Sequence, residues 1–196
     1  MPRIAKFTKD DIAQMALNII NEQGTEAVTA RNLGKKLGVS SSPIFTMYSS
    51  MEEVLEAARN LGVQQFFDYI ADVTDYTPAF KEFGMRLIRY AKKQRNVFSF
   101  LFLDKNANKN LLEEKIKEYI AETVCEFGLT EEQSEYLYRQ MWVYACGLSV
   151  ICAQNPMAHS DDEISQMISS QFMAIIRLIK SGAEVQNIEI RKKSNS

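Results

Sequence analysis

Between Thr29 and Met51 the chain reads TARNLGKKLGVSSSPIFTMYSSM, and this stretch restricts the fold more than any other. It holds two short helical patterns hinged at Gly38-Val39-Ser40, with three cations (Arg31, Lys35, Lys36) and no acid. Thr29 can cap the first helix by accepting from the backbone N–H of Arg31 or Asn32, and Val28 and Leu33 have the spacing of a hydrophobic staple. The helix then runs from about Ala30 to Gly38, where a left-handed glycine closes it without a Cβ clash and Val39 plugs the corner. Ser40, Ser41 and Ser42 are successive candidate caps, and Pro43 suits a first turn because its missing N–H would have had no intrahelical partner there. The second helix is expected from Pro43 to about Tyr48, with Ile44, Phe45 and Tyr48 turned inward and Ser41, Ser42, Pro43, Thr46 and Met47 outward. A short rod braced by another, small and polar on its outer side and free of carboxylates, is what entry into a DNA major groove requires.

The flanks extend the pattern. Ile12-Ala13-Gln14-Met15-Ala16-Leu17 precedes it, Gly24 and Val28-Thr29 end that first helix, and Leu33-Gly34-Lys35-Lys36-Leu37-Gly38-Val39-Ser40, Ile44-Phe45-Thr46-Met47-Tyr48 and Ser50-Met51-Glu52-Glu53-Val54-Leu55 follow. Together these residues, about the first quarter of the chain, resemble the DNA-binding domain of the TetR/AcrR family of transcriptional regulators. The resemblance implies an all-helical homodimer with an N-terminal three-helix domain that binds an operator in double-stranded DNA, and a larger C-terminal domain that binds an effector and dimerises. Mapped onto this chain, the DNA-binding residues are Lys6, Thr29, Arg31, Ser40, Ser41, Ser42, Pro43, Thr46, Met47 and Tyr48. Members usually carry Tyr where Phe45 stands and Lys where Met51 stands, both used to hold phosphate. The substitutes here are Arg3, Lys6 and Lys9 of the N-terminal arm, the hydroxyls of Thr29, Ser40, Ser42 and Thr46, and backbone N–H groups at helix starts. Loss of the Lys flattens the salt dependence of binding by about one unit of slope per missing phosphate contact.

Helical periodicity continues to the end of the chain, with no strand-period segment and no internal repeat. Thr8 with Asp10 and Asp11 opens a helix whose inward stripe is Ile12, Ala16, Ile19 and Ile20. Ser50 caps a long helix reaching to about Val73, and Thr77-Pro78 opens another that runs to about Gln94. A short apolar piece at 97–103, an Asn-rich turn at 106–110 and a helix at 111–127 closed by Gly128 come next. Thr130 with Gln133, and Ser160 with Glu163, match the capping box and delimit helices near 131–154 and 161–181. The expected architecture is therefore all-α with about nine helices. Residues 1–50 form the helix-turn-helix domain, 51–182 the effector-binding and dimerisation domain, and 183–196 a polar tail.

Pro78-Ala79-Phe80-Lys81, Tyr90-Ala91-Lys92, Phe98, Leu101-Phe102 and Met141 to Leu148 resemble the C-terminal domain of one group of these regulators, in which a His often stands where Cys146 does. The effector is expected among Phe66, Phe83, Leu87, Phe98, Phe102, Met141, Trp142 and Cys146, with Tyr69, Tyr119 and Tyr144 beside them, because Met and aromatic side chains shape apolar cavities. No Arg cluster accompanies them, so a small apolar or aromatic effector fits better than an anionic one. Ile164, Ile168, Phe172, Ile175 and Ile179, flanked by Met167, Ala174 and Leu178, form a broad apolar band. Paired with the 131–154 helix, that band would build a four-helix bundle across a twofold axis, or else pack within one subunit.

A net charge of −2 does not advertise a nucleic-acid binder, but the field at the contact surface decides, and residues 27–51 contain no acid. Three cysteines are too few and odd in number for a disulfide framework, and no cofactor or metal is expected from them and the lone His159, read as an exposed loop residue. No membrane contact and a cytoplasmic location are expected, since no apolar run reaches spanning length and Met1-Pro2-Arg3 leads into polar sequence. No constellation of residues supports catalysis. The alternative reading is a helical ligand-binding or protein-interaction module whose DNA binding is weakened or lost.

Overall fold

Five of the helices begin where a Ser or Thr hydroxyl, at Thr8, Thr29, Ser50, Thr130 or Ser160, accepts from a backbone N–H of the first turn. The computed structural model describes residues 7–71, 79–104, 116 and 127–182. Thr8 Oγ1 accepts from the Asp11 N–H at 3.1 Å while the Asp11 carboxylate accepts from the Thr8 N–H at 2.8 Å, which opens α1 (Lys9–Gln23). These hydrogen bonds hold the Asp11 carboxyl below its ordinary range. A 3-10 turn at Thr25–Ala27 leads into α2 (Ala30–Leu37), then come α3 (Ser42–Met47) and α4 (Met51–Ala71). α5 (Ala79–Lys93) and α6 (Arg95–Phe98) follow, and α6 runs on into a π-helical turn at Ser99–Leu103. The last two helices, α7 (Glu131–Gln154) and α8 (Asp161–Lys180), carry the two expected capping boxes, from Thr130 and Ser160.

These eight helices, with no strand among the described residues, agree with the all-α expectation of about nine. The Asn-rich turn at 106–110 and most of the helix at 111–127 lie outside the described residues, as do Tyr119 and Cys125. No described helix is long and apolar enough to cross a membrane.

One apolar cluster extends from Ile12 in α1 to Ile179 in α8. α4 lies along α1 and continues past it to meet the π-helical turn. Gly62 permits this approach, since a Cβ there would come within 3.1 Å of Leu101 and 3.3 Å of Leu17. α5 lies between α7 and α8, and a Cβ at Gly84 would sit 3.1 Å from the tip of Ile168.

The α8 band resolves in favour of packing within the subunit. Ile164, Ile168, Phe172, Ile175 and Ile179 are all buried against the chain's own core. The apolar surface that remains outside is a different one: Val143 and Ile151 flank Gly147 on α7, and Met173 and Ala174 stand on α8.

Candidate nucleic-acid interface and effector cluster

The helix-turn-helix is built by local devices. Thr29 Oγ1 accepts from the Asn32 N–H at 3.1 Å, and Asn32 Nδ2 donates back to the Ala27 carbonyl at 2.9 Å, tying α2 to the preceding 3-10 turn. Gly38 closes α2 in the left-handed region at φ 72°. The chain then folds back so closely that the Val39 N–H donates to the Gly34 carbonyl at 2.8 Å, and a Cβ on Gly34 would lie 2.7 Å from the Val39 carbonyl oxygen. Gly34 is therefore required by a close approach of backbone to backbone, a constraint that helical periodicity does not reveal.

α3 is seated from beneath. Ile44 is fully buried, and one turn later Tyr48 is buried with its hydroxyl donating to the Lys9 carbonyl at 3.0 Å while the Lys9 ammonium stands over its ring. Burial pushes the Tyr48 hydroxyl above its ordinary pKa. This corrects the place of Tyr48 among the DNA-facing residues: its ring and hydroxyl are spent on fixing α3 to α1. Met47 is half-buried against the same core rather than fully outward. Phe45 is corrected in the opposite sense. With Ile44 and Tyr48 pointing inward at i and i+4, the residue after Ile44 is rotated by about 100° and stands 48% exposed.

The other expected contacts face outward. Thr29, Arg31, Ser40, Ser41, Ser42 and Thr46 are exposed, Pro43 is half-exposed in the first turn of α3, and Thr46 donates its hydroxyl to the Ser42 carbonyl at 3.2 Å. Of the three cations, Lys36 is turned back onto α1 in an ion pair with Glu22 at 2.7 Å, so Arg31 and Lys35 supply the positive charge of this face. The Lys36 ammonium holds the Glu22 carboxyl below its ordinary range. Lys6 lies outside the described residues.

In the second half of the molecule, five of the expected effector residues meet in one ring network. Phe66 is its centre, edge-on to Phe83 at 6.4 Å and to Phe102 at 5.1 Å. Phe102 stacks on Phe98 at 5.1 Å, and Trp142 closes the set against Phe83 at 6.3 Å and Phe102 at 6.2 Å. Phe66, Phe83 and Phe98 are fully buried, whereas Phe102 and Trp142 are half-buried. Leu87 and Met141 are fully buried members of the same core, and Cys146 is half-buried at its margin. Burial pushes the Cys146 thiol up to about 12.

Tyr144 departs from this group. With His159, Glu163, Gln166, Met167, Ser170 and Gln171 it lines an open groove of about 550 Å³ between α7 and α8. His159 lies in the loop before α8 as expected but is half-buried at this groove rather than exposed, and its carbonyl accepts from Lys92 at 3.0 Å.

Periodicity also missed a buried cation. Arg59 in α4 donates to the Phe100 carbonyl, lies over the Phe100 ring at 3.9 Å, and pairs with Asp104 at 3.6 Å. Burial lowers the Arg59 pKa and Asp104 counteracts the shift. On the other side of the same segment, Asn96 Nδ2 donates to the Asn21 carbonyl of α1 at 3.0 Å. The stretch 95–104 is thereby fastened to both α1 and α4, and it also carries Phe98 and Phe102 of the ring network.

Residues 12–58 match the family model described as bacterial regulatory proteins, tetR family. This stretch, about a quarter of the chain, is thus similar to the DNA-binding region of that family. That model describes regulatory proteins, not enzymes. Solved structures extend the likeness of fold to most of the chain. A transcriptional regulator from Rhodococcus sp. Rha1 aligns with a TM-score of 0.66 at 15% identity, over 87% of this chain and 97% of that one. The TetR family protein ActR of Streptomyces coelicolor, solved with (S)-DNPA, aligns at 0.60 and 16% identity over 92% and 100% of the two chains. BioQ, solved with its natural double-stranded DNA operator, aligns at 0.59 and 15% identity over 86% and 99%. No protein of curated function matches the sequence.

Proposed function

We propose that the chain is a ligand-responsive transcriptional repressor of the cytoplasm that binds a palindromic operator as a homodimer. The observation that carries this is the outward face of α2 and α3 in a tetR-like domain. That face has exposed hydroxyls, two outward cations and no carboxylate, on a helix locked from beneath by Ile44 and Tyr48. Residues 1–50 act as the reading domain and 51–182 as the sensing and pairing domain, with residues 183–196 a polar tail. Two copies join through the outer faces of α7 and α8, where Val143, Ile151 and Met173 stand exposed, and place two copies of α3 in successive major grooves about one helical turn apart.

The effector is a small apolar or aromatic molecule that enters by displacing the half-buried rings of Phe102 and Trp142. Its binding moves the segment 95–104, which pulls on α1 through Asn96 and on α4 through Arg59, and so changes the separation of the two readers. Such coupling requires the effector to bind one of the two arrangements more tightly than the other.

The test is a mobility-shift series on duplexes selected by the full chain from a random pool. Pro43→Ala and Thr46→Ala change the preferred sequence, while Lys6→Ala weakens binding to all duplexes alike and lowers the salt slope by about one. Identical behaviour of the three variants overturns the assignment of roles. Failure of the unaltered chain to bind any duplex at low salt overturns the function itself and favours a carrier or interaction module.

A further inference from the structure

Phe45 is the single side chain on the reading helix whose exposure neither the fold nor phosphate binding explains. The other exposed large apolar residues among those described, Leu103, Val143, Ile151, Met157 and Met173, all lie beyond residue 100. Phe45 cannot retreat into the core, because its neighbour Ile44 and the buried Tyr48 already fix which side of α3 faces inward. Its phenyl ring has no donor for a phosphate oxygen and none for a base edge. On one side stand the hydroxyls of Ser41 and Ser42, and Thr46 follows it with its hydroxyl committed to the Ser42 carbonyl. The ring is thus an apolar projection in a polar, acid-free surface.

The major groove offers one apolar feature of matching kind, the C5-methyl group of thymine, which also separates T·A from the other base pairs. Resting on the DNA-binding function proposed above, we propose that Phe45 packs against a thymine methyl and thereby specifies thymine at one fixed position of each operator half-site. The fold presents this ring at a height set by the Tyr48–Lys9 anchor, so the same position is read in both half-sites.

Duplexes enriched from a random pool by the full chain supply the probe. Each thymine of the half-site is replaced in turn by deoxyuridine, which removes the methyl and nothing else, and affinities are read by fluorescence anisotropy. One position should weaken roughly fourfold, as expected for a single buried methyl group. Phe45→Ala should bind more weakly at that site and show no further loss on replacement by deoxyuridine, while Phe45→Tyr should keep the dependence. Circular dichroism reports that both variants remain folded. Neutral replacements at every thymine overturn the inference while leaving DNA binding intact. Equal sensitivity in Phe45→Ala also overturns it, because another side chain then reads the methyl. No enriched duplex at all overturns this inference together with the function it rests on.

Discussion

The helix-turn-helix and the aromatic ring network of this molecule are held together by different means. Around α2 and α3 many constraints act over a few residues: Thr29 on Asn32, Gly38 at the end of α2, Gly34 beneath Val39, Ser42 under Thr46, with the Tyr48–Lys9 and Lys36–Glu22 contacts to α1 as the longer-range exceptions. Around Phe66 the partners come from α4, α5, the π-helical turn and α7, separated by tens of residues. The first region can present a fixed surface without much core. The second has a large core drawn from distant segments, so a displacement of one ring is felt by several helices, as the proposed effector response requires.

Substitutions can break this contrast, and the greatest effect is expected at its centre. Phe66→Ala removes a fully buried ring and should lower unfolding stability by about 3–5 kcal/mol in urea titrations monitored by circular dichroism. Gly34→Ala comes next, at about 1–3 kcal/mol, since the atom in the way belongs to the backbone and the turn itself must open. Unlike Phe66→Ala, it should also abolish duplex binding under conditions where the chain remains folded. Thr29→Ala removes a helix cap and should cost about 1 kcal/mol by the same titration.

The smallest effect sharpens the comparison through chemistry. Burial favours the neutral thiol of Cys146, so the contribution is complete below the ordinary thiol range near 9 and is lost as pH rises through about 12. At pH 8 the Cys146 thiol is therefore neutral in the folded chain and a poor nucleophile. Peptide mapping after iodoacetamide treatment at that pH should find Cys146 unmodified in the native protein and modified in urea. Rapid native labelling would show that this margin of the ring network is open.

What could be read in advance divides along the same line. The caps at Thr8, Thr29, Thr130 and Ser160 and the left-handed Gly38 were legible because donor and acceptor lie within three or four residues of each other. The meeting of Phe66, Phe83, Phe98, Phe102 and Trp142 was legible only as a list of apolar side chains, since no local signal states which helices pair. Phe45 was misplaced because a six-residue helix is too short for periodicity to separate an inner from an outer aromatic. The spacing set Tyr48 inward, but that its hydroxyl is committed to α1 and not to DNA was hidden, because its partner, the Lys9 carbonyl, is 39 residues away. Arg59 and the Lys36–Glu22 pair were missed for a related reason. A cation in a helix looks solvated until another element's oxygen is brought to it.

The doubly fastened stretch from Arg95 to Asp104 has a mechanical corollary. A bar pinned at two separate points on neighbouring rods cannot simply slide along either one: pushing its free end turns the rods against each other. Asn96, bonded to Asn21 of the first helix, and Arg59 of the fourth, bonded to Phe100, are such pins. Under the proposed effector response, cutting either should leave a hinge that no longer transmits torque.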